Sequence, residues 1–112
     1  MPEKALTGAS AQTIVLSILD RHESYGYRIL NDVSRLSGGD VEWGPGSLYP
    51  LLHRMKADRL VESSWIEKNG ERRRRYYRIT AKGRKALEKE KQQWLSVHRI
   101  LIQLWGIQPS LS

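Results

Sequence analysis

A chain of 112 residues with 39% hydrophobic content has room for one modest core, and none for a separate catalytic domain beside it. Having no cysteine, it can form no disulfide, thiolate metal site or cysteine nucleophile, which fits a reducing, cytoplasmic setting. Its net charge of +7 and pI near 10.0 favour a polyanionic partner, and its start carries no signal-peptide core.

The first helix is expected over residues 10–20, with Ser10 as N-cap and Ile14 and Ile18 on one face, widened by Val15 and Leu19. Ser24 is expected to cap a second helix over residues 25–36, where Tyr25, Ile29, Val33 and Leu36 fall at helical spacing before Gly38 and Gly39 end it. Val41 to Trp43 reads as extended. Gly44, Pro45 and Gly46 open a third helix, since proline in a first turn has no N–H to leave unpaired. Its apolar face is Leu48, Leu52 and Met55, flanked by Leu51. Its other face shows Gly46, Pro50, His53 and Arg54, flanked by Ser47 and Tyr49. Pro50 is expected early enough in that helix to be tolerated.

Residues 61–68 and 71–80 read as two strands around Asn69 and Gly70, a pair that suits a tight hairpin because both turn positions need positive φ. Thr80 is a suitable N-cap for a long last helix from Ala81 to about Trp105, stopped by Gly106 and Pro109. The fold class is therefore mainly α with a small β-hairpin. Three helices and a hairpin form a winged helix-turn-helix over residues 1–80, and residues 81–112 form a C-terminal dimerisation helix and tail.

Charge is concentrated rather than spread. Between Lys68 and Lys85 stand Arg72, Arg73, Arg74, Arg75, Arg78, Lys82 and Arg84, against the single acid Glu71. A third helix that is small and hydrogen-bonding in front can approach base edges in a major groove, and a basic hairpin can hold phosphates beside it. The candidate DNA contacts are Gly46, Ser47, Tyr49, Pro50, His53 and Arg54 on the helix and Arg72, Arg73, Arg74 and Arg75 on the hairpin. Side chains alternate along a strand, so about two of the four arginines should meet nucleic acid. For Tyr76 and Tyr77 a core role is expected, since one of the two must face inward.

Several stretches resemble PadR-type transcriptional regulators. Residues 43–61 (WGPGSLYPLLHRMKADRLV) are similar to the family's third helix and following strand, residues 25–29 (YGYRI) to its second helix, and residues 73–83 (RRRYYRITAKG) to its wing strand and the junction with its last helix. The resemblance covers nearly the whole chain. It implies a winged-helix dimer, usually a repressor, with Ser47, Tyr49, Pro50 and Arg54 at the DNA interface, and a Gly26 that lets helices pack closely.

On the last helix Leu87, Trp94 and Leu101 recur every seven residues, with Val97 and Leu104 three beyond the latter two, a heptad-like seam expected to pair with a second copy. Leu87, Trp94, Val97, Leu101 and Leu104 are its interface candidates. Short PadR-type regulators include a branch that stacks planar aromatic molecules between paired tryptophans. That resemblance would make Ala11, Ile14, Val15, Ile18, Trp94 and His98 a ligand site. His98 stands where that branch has an acid for cationic ligands. The expected partners are double-stranded DNA, a second copy of the chain and a planar aromatic small molecule, with no membrane, metal or cofactor. Three scattered histidines give no catalytic or metal spacing. A winged-helix protein-interaction module without DNA readout is the alternative, set against a four-arginine run that calls for an anion.

Overall fold

The computed structural model describes residues 9–107. Along the chain lie α1 (Ala9–Arg21), β1 (Ser24–Tyr25), α2 (Gly26–Leu36), α3 (Pro45–Ala57), β2 (Val61–Ile66), β3 (Arg74–Ile79) and α4 (Ala81–Trp105). The expected order of helices and hairpin is present, with one strand added. The three strands form an antiparallel sheet in the order β1-β3-β2. The expected stop at Pro109 lies outside the described residues.

Helix starts differ from expectation in two places. Ser10 sits inside α1, which begins at Ala9. Ser24 is not a cap: it is buried in β1 opposite Tyr77, while extended Tyr25 precedes α2 without a side-chain cap. The strand draws Tyr25 into an edge-to-face contact with Tyr76, centroids 5.2 Å apart. Residues 41–43 form no strand. Trp43 is nevertheless buried, and the Val41 N–H donates to the Ser37 hydroxyl at 2.9 Å.

The hairpin meets two demands that conflict. Asn69 and Gly70 both have positive φ, and Glu71 N–H donates to the Lys68 carbonyl at 2.9 Å, so the tight turn forms as expected. Continued into the strands, that turn would pair Val61 with Arg78 and bring charge onto the core face. The strands instead pair Val61 with Ile79, Ser63 with Tyr77 and Trp65 with Arg75. Three residues (71–73) on the arginine side face two (67–68) on the other, and this extra residue shifts the register by one. Val61, Tyr77 and Ile79 are thereby buried together.

α3 turns Leu48, Leu51, Leu52 and Met55 into the core against Val15, Leu16, Ile29 and Val33. Each such side chain contributes roughly 1.5–3 kcal/mol by leaving water. Pro50 stands a full turn and more inside this helix, beyond the free first turn. It withholds an N–H from the Gly46 carbonyl, and both residues are exposed, so water can take that acceptor.

α4 is capped by Thr80, whose hydroxyl accepts from Gly83 N–H at 2.9 Å and donates to Arg59 O at 2.7 Å. Gly106 closes it in the left-handed conformation. Its first turns belong to the same core as the sheet. Any Cβ on Gly83 would run into the Leu60 carbonyl, and Leu87 is 2% exposed. Leu87 is therefore a core residue of the single chain and no longer a dimer candidate. Packing continues past Thr80 to Glu90, whose carboxylate accepts from Thr13 Oγ1 at 2.6 Å and Gln12 Nε2 at 2.8 Å. From residue 91 to 100 every side chain is exposed.

Candidate nucleic-acid interface

Because the leucines of α3 fill the core, its opposite side is left to solvent. Gly46, Tyr49, Pro50, His53 and Arg54 are exposed there and Ser47 is half-buried. The helix start offers less to a phosphate than a bare N-terminus would. Pro45 has no N–H, and Ser47 and Leu48 already donate to the Gly44 carbonyl at 3.1 Å, which leaves Gly46 N–H. Tyr49 has two roles. Its ring covers Gly26, where a Cβ would collide with the phenol end, yet it remains 39% exposed. Gly26 thus permits the approach of α2 and α3 that the sequence suggested.

The hairpin register decides how its arginines are held. On one face Trp65 and Arg75 are cross-strand partners. The Arg75 guanidinium lies 5.7 Å and that of Arg73 5.3 Å from the Trp65 ring centre, and Arg75 Nε donates to Ser63 Oγ at 3.0 Å. On the other face Arg74 lies 4.4 Å over Tyr25 and Lys68 4.5 Å over Tyr76, while Lys68 also pairs with Glu23 at 3.3 Å. Arg78 is drawn to Glu62 and Ser64 at 3.1 Å each. Arg72 and Arg73 are exposed, and Arg74 and Arg75 are half-buried.

A crevice of about 320 Å³ separates α3 from the hairpin. Tyr49 and His53 line it from the helix, Trp65 and all four arginines 72–75 from the hairpin, and Tyr25 and Tyr27 from β1 and α2. Tyr77 closes its inner side. Burial holds the Tyr77 phenol above its usual range, opposed in part by Arg75, so it stays neutral at physiological pH. Both tyrosines of the pair are buried. Sequence reasoning missed Trp65 and Tyr27. Neither lies within a basic run, and the face Trp65 takes follows from the register shift.

A second hollow, about 550 Å³, runs between α1 and α4 and is lined by Gln12, Thr13, Arg54, Glu90, Gln93, Trp94 and Val97. The ligand candidates divide. Trp94 lines this groove and is 47% exposed, but Ala11, Val15 and Ile18 are buried in the chain's own core and Ile14 packs against that core. Gln12 and Thr13 take their place on the α1 side. His98 turns to a different hollow, with Leu95, Arg99 and Ile102, so the charged groups that line the groove with Trp94 are Glu90 and Arg54. Arg54 lines this groove and also a smaller one with Ser47 and Pro50, at the corner between the two surfaces. Among the described residues no helix is long and apolar enough to cross a membrane, and no His, Asp or Glu cluster could hold a metal ion.

The family described as transcriptional regulator PadR-like matches residues 15–89. Over 47 residues the chain is 49% identical to a transcriptional regulator of Mycobacterium tuberculosis, covering 42% of this chain and 43% of that one. A PadR-like transcriptional regulator from Bacillus cereus superposes with a TM-score of 0.82 at 29% identity, covering 93% of this chain and 99% of that one. A PadR family transcription regulator from Clostridium difficile gives 0.73 at 30% identity, covering 85% and 97%.

Proposed function

The chain belongs to the PadR-like family of transcriptional regulators, and from that premise we propose that it is a cytoplasmic repressor binding a pseudo-palindromic DNA operator as a homodimer. The observation that carries this reading is a crevice on which Tyr49 and His53 of α3 and the four hairpin arginines all open. Tyr49, Pro50, His53 and Arg54 would lie against base edges, with Gly46 and Ser47 allowing close approach. Arg72 and Arg73 are the exposed pair among the four hairpin arginines and would meet phosphate first.

Dimerisation rests on α4. Beyond Glu90 its Trp94, Val97, Ile100 and Leu104 are exposed, a stripe that the described residues of one protomer leave uncovered. Pairing two such helices would set two copies of α3 about 34 Å apart, one turn of B-DNA. Residues 1–80 then read DNA and residues 81–112 join the copies, although packing against the core continues to Glu90. A planar aromatic molecule in the groove beside Trp94 would be the releasing ligand, with Gln12, Thr13 and Glu90 as its polar surround.

Binding to the duplex flanking the chain's own coding region, measured by fluorescence anisotropy across a salt series, tests this. Two protomers per site and a log–log salt slope of about −0.9 for each phosphate neutralised are expected. A protein that stays monomeric at micromolar concentration, or ignores duplex DNA at low salt, would falsify it. The latter result alone would favour a protein-interaction module.

A further inference from the structure

Trp65 is a large apolar side chain left 54% exposed in a strand, with no apolar neighbour across from it. Its flanks are instead Arg73 and Arg75, at 5.3 and 5.7 Å from the ring centre. The pairing is built in, because the extra residue in the hairpin makes Trp65 the cross-strand partner of Arg75. In the unshifted register Trp65 would face Arg74.

We infer that Trp65 is a positioning residue for DNA binding: it holds the guanidinium groups of Arg73 and Arg75 ordered in the crevice facing α3 before any phosphate arrives. This rests on the DNA-binding reading above and goes beyond it by assigning the wing's affinity to a residue with no charge. Arginine on a flexible stem loses rotamer freedom when it docks on an anion. A guanidinium lying on an indole has already lost part of it. A cation–π contact consumes none of the group's N–H donors, and those donors are what phosphate oxygens bind. Arg75 is fixed twice, by the Trp65 ring and by the bond its Nε donates to Ser63 Oγ at 3.0 Å. The counterpart stacks are less suited to this role. Lys68 on Tyr76 is already paired with Glu23, and Tyr25 under Arg74 is half-buried.

The test is a double-mutant cycle on the intact protein, read by anisotropy on the duplex that the wild type binds. W65A should weaken binding about 5- to 30-fold, because both guanidinium groups lose the ring they rest on. The salt slope should stay that of the wild type, because the same phosphates are still met. W65F, which keeps a ring, should recover most of the loss. In a protein already carrying R73A and R75A, adding W65A should change nothing. Wild-type affinity in W65A would overturn the inference while leaving DNA binding intact. A W65A loss that persists without the two arginines would overturn it too, by making Trp65 touch DNA directly. Failure of the wild type to bind any duplex would overturn the underlying reading as well.

Discussion

Trp65 and Trp94 are exposed to nearly the same degree, 54% and 47%, yet they stand in opposite company. Trp65 lies among guanidinium groups on a two-stranded wing, and Trp94 lies on a helix whose exposed neighbours include Val97, Ile100 and Leu104. An indole flanked by cations has its partners within its own protomer and presents charge outward. An indole in an apolar stripe is left open by the described residues of its own chain. Exposure alone therefore says little about what an aromatic residue is for, and its neighbours say most of it.

The comparison breaks most sharply on α4. Replacing Trp94 and Leu104 together by glutamate should leave the protein monomeric in sedimentation and lower its affinity for a two-half-site operator by about 100-fold or more. A dimer that survives both charges would mean that the stripe serves some other purpose. On the wing, R73A with R75A should leave the dimer whole. The salt dependence of DNA binding should become shallower by about 0.9 in log–log slope for each phosphate that is no longer neutralised. An unchanged slope would remove the wing from the interface. The smallest effect belongs to the joint between the two regions. T80A removes the α4 cap and should cost about 1 kcal/mol in thermal or urea unfolding. Oligomeric state and salt slope should not move, so a change in either would show that Thr80 does more than start a helix.

Much of the fold was legible because helical periodicity and turn chemistry are local. The faces of α1 to α3, the Asn69-Gly70 turn, the Thr80 cap and the Gly106 stop all follow from residues within a few positions of each other. What escaped depended on distant partners. β1 is two residues long and exists only because β3 lies alongside it. The hairpin register came from a contest between the turn and the hydrophobic pattern, and the pattern won by inserting a residue. The faces of Arg72 to Arg75, and the place of Trp65 among them, followed from that contest. Leu87 fell in step with the exposed stripe, because a seven-residue spacing cannot distinguish burial within one chain from burial between two. Ala11, Val15 and Ile18, taken from a family resemblance, proved to be core. Glu90 was overlooked because the same resemblance drew attention to His98.

The way α4 is fastened has a mechanical consequence. Among the described residues its first part is anchored, through Gly83, Leu87 and the grip of Gln12 and Thr13 on Glu90, and residues 91–100 beyond it are exposed along a 52 Å molecule. The roughly 15 residues of helix beyond that anchor form a lever of about 22 Å. A tilt of about 5° at that fulcrum swings the far tip by about 2 Å. In a paired protein the span between the two halves would thus be governed by a carboxylate and two small polar side chains near the pivot.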